Sequence, residues 1–377
     1  MEKTKGKLAN YSLHEVKEKE MKENDNVLNG KRSSNIELLR IILMFLLVCS
    51  HYVHNSGLLD VLYNAPLNIK PVLMFIFGMW GKPVINCFVL ITGYFMYSSS
   101  ISIEKYVKLL LEVEFYNVGI WLIFVIMGKE TFTLLTLIKV IFPLTSISRN
   151  FVSCYLVFYL FIPFINILIE HINEKQHLCL LGGMLCVYTV LGTVPRFDVE
   201  MNYVSWFFVL YLIASYIRKY ARAFFRKKKL WVLLFFLTYL LCIVSIIVGA
   251  YFSKTLNMRL AYYLIEDSNK PLALLLSLSL FVVFINIDIK DSKLINTLAK
   301  TTFGILLIHA NSDVMRNWLW VNTFCCVEQY HLNHWLLLAI CSVIIVFLVC
   351  AIIDLLRIYF LEKPVLAILF KKNPRKG

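Results

Sequence analysis

Residues 35–52 read NIELLRIILMFLLVCSHY. The run is apolar over a length that suits a bilayer-crossing helix of about 20 residues. Two ionisable side chains interrupt it, Arg40 and His51. Their eleven-residue spacing is close to three helical turns, so they share a face and sit roughly 16 Å apart along the axis. Ionisable groups are costly to insert in a membrane helix and usually belong to a working site. Arg40 falls near one end of the span and His51 deep in its second half, which suggests a reaction path running into the membrane.

The rest of the chain has the same character. Apolar residues make up 59% and charged residues 16%, against about 45–50% and 25% in ordinary soluble domains. Mean hydropathy is +0.71. The expected fold class is an all-α, polytopic integral membrane protein. Apolar runs near 36–54, 83–98, 106–128, 150–169, 178–194, 203–219, 230–252, 271–287, 302–321 and 334–361 predict about ten transmembrane helices. The segment 69–82, IKPVLMFIFGMWGK, reads as an interfacial or re-entrant lead-in to the second helix, and 132–142 reads similarly.

An even number of spans puts both termini on one side. Placing the N-terminus inside assigns 28 of the 38 Lys and Arg residues to that side, as the positive-inside rule requires. The cluster from Arg218 to Lys229 then lies in the cytoplasm. Residues 1–33 are expected to be a charged cytoplasmic tail, without the apolar core of a signal peptide. Residues 34–362 form the expected membrane domain, and 363–377 a basic cytoplasmic tail. The expected location is the plasma membrane, multi-pass. The net charge of +14 suits topology and contact with anionic lipid. It sits in short loops, which argues against nucleic acid as a partner. The ten cysteines form no CxxC pair, and no clustered ligand set suggests a bound metal.

Chemistry centres on Arg40 and His51. A histidine titrates near neutrality and suits a general base. It would take the proton of an alcohol attacking an activated acyl group, or carry the acyl group itself. Arg40, always charged, suits a phosphate or carboxylate. A donor with a phosphorylated head and a distant reactive end, such as acyl-CoA, would satisfy both. Glu37, one turn before Arg40, is its expected local ion pair. His54, one turn past His51, is either a substrate contact or an exposed histidine. His309 follows an apolar run and precedes Asn311 and Asp313; it either helps bind the acceptor, orients a catalytic group, or caps a helix. Arg149 is either a contact to an anionic or sugar group or an interface anchor.

Several segments in order resemble the membrane acyltransferase family 3, proteins that O-acylate carbohydrates. Its Arg-x10-His in the first helix matches Arg40 and His51. Its Ser-Gly-Tyr segment resembles CFVLITGYFMY at 87–97, with Thr92 in place of Ser, then Gly93 and Tyr94. Its Tyr-Leu and Pro-x-x-Asn pattern resembles YLVFYLFIPFIN, from Tyr155 to Pro163 and Asn166. Its Gly-Ile-Tyr-Leu-Ile-His segment resembles TTFGILLIH, with Gly304 and His309 in place and a leucine for Tyr. Residues 206–220 and 269–281 also resemble the branch acting on bacterial surface polysaccharides. Where the family is often arginine-rich after the second helix, this chain has Lys105 and Lys108.

The resemblance implies an O-acetyltransferase taking acetyl, or another acyl group, from acyl-CoA to a sugar hydroxyl of a surface polysaccharide or lipid-linked saccharide. It implies catalysis by His51 and Arg40, donor binding by Arg40, Lys105 and Lys108, and acceptor binding by His54, Tyr94, Arg149 and His309. Neither a metal nor a tightly bound cofactor is expected; acetyl-CoA is a substrate. The expected partners are acyl-CoA, a saccharide and the bilayer, with a second copy or a polysaccharide-assembly protein left open. The alternative is a transporter or flippase of a lipid-linked saccharide. That class predicts inverted repeats or Gly/Pro-broken midplane helices in both halves, and the sequence shows no such pairing.

Overall fold

In hydrocarbon no water is present to bond the backbone, so a crossing chain must satisfy its amides within helices or a closed barrel. The computed structural model describes residues 33–99, 102–142, 151–197 and 199–369. Among them no strand occurs. The principal helices are α1 (Ser34–His54), α2 (Ile69–Gly78), α3 (Gly81–Met96), α4 (Ile103–Ile126), α5 (Phe151–His171), α6 (Glu174–Leu185), α7 (Tyr203–Tyr220), α8 (Lys228–Leu256), α9 (Pro271–Ile285), α10 (Thr302–His309) and α11 (Trp335–Arg357). Residues 363–369, predicted as tail, form a further short helix.

Seven helical stretches among the described residues are long and apolar enough to cross a membrane. They correspond to α1, α2 with α3, α4, α5, the stretch from α6 to Thr193, α8, and α11 with its continuation to Leu369. The other three predicted runs give shorter helices. α7 has 18 residues and ends in Arg218 and Lys219, α9 has 15 and α10 has eight.

Two of the predicted runs break. The run 302–321 does not form one helix, because it stops after His309. Asn311 and Ser312 are the reason, since short polar side chains compete for backbone groups. Asn311 Nδ2 donates to the Leu307 carbonyl at 3.1 Å. Ser312 Oγ accepts from the Met315 amide at 3.1 Å and starts a new helix, Asp313–Asn317. The lead-in at 69–82 is the helix α2, capped by Asn68 and parted from α3 at Met79 and Trp80. Pro83 has no amide to give the Met79 carbonyl, so a continuous helix would lose a bond there. The run 132–142 gives Leu134–Ile141, a short helix with no buried residue.

α1 sits at the centre. Leu39, Leu43, Val48, Tyr52 and Val53 are fully buried on it. It packs on α2, α3, α9, α10 and α11. Its start is pinned by Asn35, whose Nδ2 donates to the carbonyls of Phe284 and Ile287 at 2.9 and 3.0 Å. α3 and α7 touch most closely at Gly93. A Cβ there would meet Tyr211 Cα and Ala214 Cβ at 2.9 Å. Asn86 and Asn166 tie helices together. Asn86 accepts from Trp206 Nε1 and donates to the Ser268 carbonyl. Asn166 accepts from the Tyr211 hydroxyl and donates to the Met96 carbonyl. The outward faces of α8 and α11 carry exposed Phe236, Leu240, Ile345 and Ile352, an apolar belt suited to lipid.

A buried charge cluster locks α4, α10 and α11. Arg357 donates to Asp354, Glu362 and Glu112 at 2.7, 2.8 and 2.9 Å. The Tyr116 hydroxyl donates to Asp354 at 2.7 Å, and Lys108 pairs with Glu362 at 2.6 Å. α10 leans on this cluster through Gly304, where any Cβ would fall inside the Asp354 carboxylate. Removing one partner of a buried ion cluster leaves uncompensated charge, at a cost of about 3–5 kcal/mol. Arg357→Met should therefore lower the thermal midpoint in detergent far more than the surface control Lys129→Met. Equal midpoints would show that the cluster does not hold the bundle.

Candidate active site

A cavity of about 850 Å³ opens at the end of the bundle where α1 finishes. His51 and His54 of α1 line it, as do Gly78, Met79 and Gly81 at the first helix break and Ala310, Asn311 and Ser312 at the second. Both breaks of the fold therefore lie on its wall. The last turn of α1 and the C-terminus of α10 meet here. They bring together His51 and His309, which are 258 positions apart.

His51 Nδ1 and His309 Nε2 are 2.9 Å apart. His309 is fully buried, and its Nδ1 lies 2.6 Å from the Ile305 carbonyl. A carbonyl can only accept, so His309 Nδ1 carries its proton. Its Nε2, in the neutral ring, is then an acceptor. It follows that His51 Nδ1–H donates to His309 Nε2. One nitrogen of His51 remains, Nε2, with a free lone pair. His51 is part-exposed and lines the cavity, so that lone pair belongs to the side chain that meets an incoming molecule. The pair is held in depth: α10 rests on Asp354 through Gly304, and Ser50, beside His51, donates to the Gly78 carbonyl at 2.9 Å.

His54 donates from Nδ1 to the Ser50 carbonyl at 2.9 Å and stacks on Tyr262, with ring centres 5.2 Å apart. Lys82 reaches the cavity from the first turn of α3, donating to the Tyr203 hydroxyl at 2.6 Å and facing Asp267 at 3.6 Å. Asn117 of α4 accepts from Asn311 at 3.2 Å. Arg316 lines the same wall and pairs with Asp313. Aromatic rings, among them Phe88, Trp121, Phe151 and Tyr203, complete the lining.

Arg40 lies elsewhere. It is on the face of α1 expected from the helical spacing, but towards the other end of the bundle and outside the cavity lining. Its Nη1 is 3.7 Å from Glu37, and its Nε is buried without a hydrogen-bond partner among the described residues. Tyr155 of α5 is bonded through its hydroxyl. That hydroxyl donates to Thr92 Oγ1 at 3.0 Å, since Thr92 itself donates to the Phe88 carbonyl at 3.0 Å. Tyr155 in turn stacks on Phe151, a cavity residue. Thr92, Tyr155 and Phe151 thus form a polar and aromatic thread that ends at the His51 cavity.

The other expected residues separate. Tyr94 is buried and engaged by Arg218, whose Nη1 donates to its hydroxyl at 3.1 Å. It lies outside the lining of the His51 cavity. Lys105 is exposed, and Lys108 is taken up by Glu362. Arg149 lies outside the described residues. Sequence reasoning missed Lys82 and Arg316 as cavity residues, and it missed Glu112, Asp354 and Arg357. The last three stand within apolar runs, and intramembrane charge was the available signal.

A family model described as an acyltransferase domain matches residues 33–355. No curated protein and no solved structure matches the chain.

The hydrogen-bond chain gives a test independent of any activity. Imidazole nitrogen spectra of 15N-histidine-labelled protein should show His51 protonated on Nδ1 and bare on Nε2. His309→Phe should abolish that preference. A His51 ring protonated on Nε2 in the wild type would overturn the tautomer.

Proposed function

The chain belongs to the acyltransferase 3 family, and from that membership we propose that it is an integral membrane O-acyltransferase using acetyl-CoA and a saccharide hydroxyl. The acceptor would be a surface polysaccharide or its lipid-linked precursor, and the membrane the plasma membrane. The observation that carries the mechanism is the free Nε2 lone pair of His51, set on a cavity wall by the bond to His309.

The acceptor hydroxyl gives its proton to His51 Nε2 as its oxygen attacks the thioester carbon. Charge then develops on the His51 ring. His309 Nε2, accepting from Nδ1–H, stabilises that imidazolium and keeps the ring from turning. When the carbon–sulfur bond breaks, His51 returns the proton to the leaving thiolate. General bases of this kind contribute typically 10²–10⁴-fold in rate. Arg40 serves the donor's phosphates from the opposite end of α1, and the thread through Thr92, Tyr155 and Phe151 lies along the path of the acyl arm. By the positive-inside reading the His51 cavity faces outside and Arg40 inside. That arrangement suits a cytoplasmic donor and an outward acceptor. The cavity's aromatic rings suit the apolar faces of a sugar.

One observation favours transport as a second reading. The chain breaks a helix in each half, at Met79–Trp80 and at Ala310–Ser312, as carriers of lipid-linked saccharides would. Here, however, both breaks frame a histidine pair, which transport leaves unexplained.

The test compares O-acetyl content of surface glycans in a deletion strain complemented with wild type, His51→Ala or Arg40→Ala at equal membrane abundance. Wild type should restore ester-linked acetyl, and His51→Ala should lose it by roughly 100-fold or more. Acetyl-CoA should still raise the thermal midpoint of purified His51→Ala but not that of Arg40→Ala. Full acetylation by His51→Ala would remove it from the mechanism. A deletion that lowers the amount of surface glycan, with its acetyl fraction unchanged, would favour transport.

A further inference from the structure

Arg316 stands out among the cations of the cavity. It sits on the five-residue helix Asp313–Asn317, directly after the break that ends α10. It lines the same cavity as His51, seven residues after His309 in the chain. Of the other lining cations, Lys139 sits on the helix Leu134–Ile141, which has no buried residue, and two are engaged elsewhere. Lys82 is held by Tyr203 and Asp267, and Arg259 pairs with Asp60 far out on the rim, both more than 60% exposed. The partner of Arg316, Asp313, is 96% exposed, so water screens that pair and it holds the guanidinium only weakly. The Arg316 side chain as a whole is about two-thirds covered, at 35% exposure. A part-covered, weakly paired, permanently charged donor thus lines the cavity into which His51 also opens.

We propose that Arg316 stabilises the oxyanion formed when the acceptor hydroxyl attacks the acyl carbonyl at His51. The inference rests on the acyl-transfer reading. In the step, the hydroxyl proton moves to His51 Nε2 and a new carbon–oxygen bond forms. The carbonyl π pair moves onto its oxygen, which becomes an oxyanion facing the Arg316 guanidinium. The carbonyl then reforms, the carbon–sulfur bond breaks, and the thiolate takes the proton from His51. Arginine keeps its protons throughout, so it supplies charge and hydrogen bonds and transfers no proton. Donors aimed at developing charge in a water-poor site are worth far more than in water, commonly 10²–10³-fold in kcat.

The experiment uses the full-length protein in proteoliposomes with radiolabelled acetyl-CoA and membranes of the deletion strain as acceptor. Arg316→Gln should lower kcat by about 100-fold or more, with KM for acetyl-CoA and the thermal midpoint close to wild type. Arg316→Lys, which keeps the charge without the fork, should recover part of the rate. If Arg316→Gln keeps kcat and raises only the acceptor KM, Arg316 binds the acceptor and the proposal is wrong. If both variants match wild type, it is a solvated residue and the proposal is equally wrong. Should Arg316→Gln lose its fold, Arg316→Lys carries the test, and an unchanged kcat overturns the proposal. A wild type that transfers no acetyl removes the acyl-transfer reading itself, an outcome distinct from all of these.

Discussion

Inside a bilayer, a backbone group that leaves its helix must find another partner, and irregular backbone survives only against protein or a wet cavity. This chain leaves its helices at Met79–Trp80 and at Ala310–Ser312, and both places line one cavity. The cavity and the breaks therefore require each other. Without the opening, the carbonyls freed around Pro83 and Asn311 would face hydrocarbon. Without the breaks, His309 would not stand at a helix C-terminus with its Nε2 turned to α1. The Ile305 carbonyl, one turn back in α10, then fixes the proton on Nδ1. A constraint on backbone hydrogen bonding thus ends as a choice of tautomer at His51.

The support behind the histidines is both apolar and polar: Ile305, Leu307 and Ile308 of α10 are buried in the core, and Gly304 rests against a buried charge cluster. α10 is only eight residues long, and an isolated helix of that length is marginal. Its position comes from that burial and from contact with the Asp354, Arg357 and Glu112 cluster through Gly304. A glycine is required there because the carboxylate occupies the space of a Cβ. The cluster also takes in Lys108. Its partner Glu362 is itself fixed by Arg357, so Lys108 completes a structural network.

Much of this was legible in the sequence, for identifiable reasons. Bilayer thickness and helical rise are fixed quantities, so apolar length located most helices. The same rise placed Arg40 and His51 on one face of α1. Pairings across long separations were not legible. Nothing local to LLIHANSD says that His309 bonds His51 rather than a saccharide. Tyr94 looked like a substrate residue because of its motif, but Arg218, 124 positions away, takes its hydroxyl. The end of α10 was readable in principle, since Asn and Ser in succession compete for backbone bonds; the apolar residues on either side masked it. Arg316, seven residues after His309, would share its face on a continuous helix as well; it was missed because nothing local to the apolar run marks a cavity wall.

A single rigid helix carrying both Arg40 and His51 has a mechanical consequence. The eleven residues between them set a fixed span of roughly 16 Å at 1.5 Å per residue, whatever the surrounding loops do. Each residue added or removed would turn one side chain by about 100° relative to the other, so the spacing cannot drift gradually. Under the proposed function, a donor held by its charged end at Arg40 would thereby be measured against His51 by backbone hydrogen bonds alone. The helix is in turn held at both ends, by Asn35 on the carbonyls that follow α9 and by the His51–His309 bond at α10. The ruler is thus fixed to the scaffold at each of its working positions. The thread through Thr92, Tyr155 and Phe151 runs beside it, where a flexible acyl arm would need a surface of mixed polar and aromatic character.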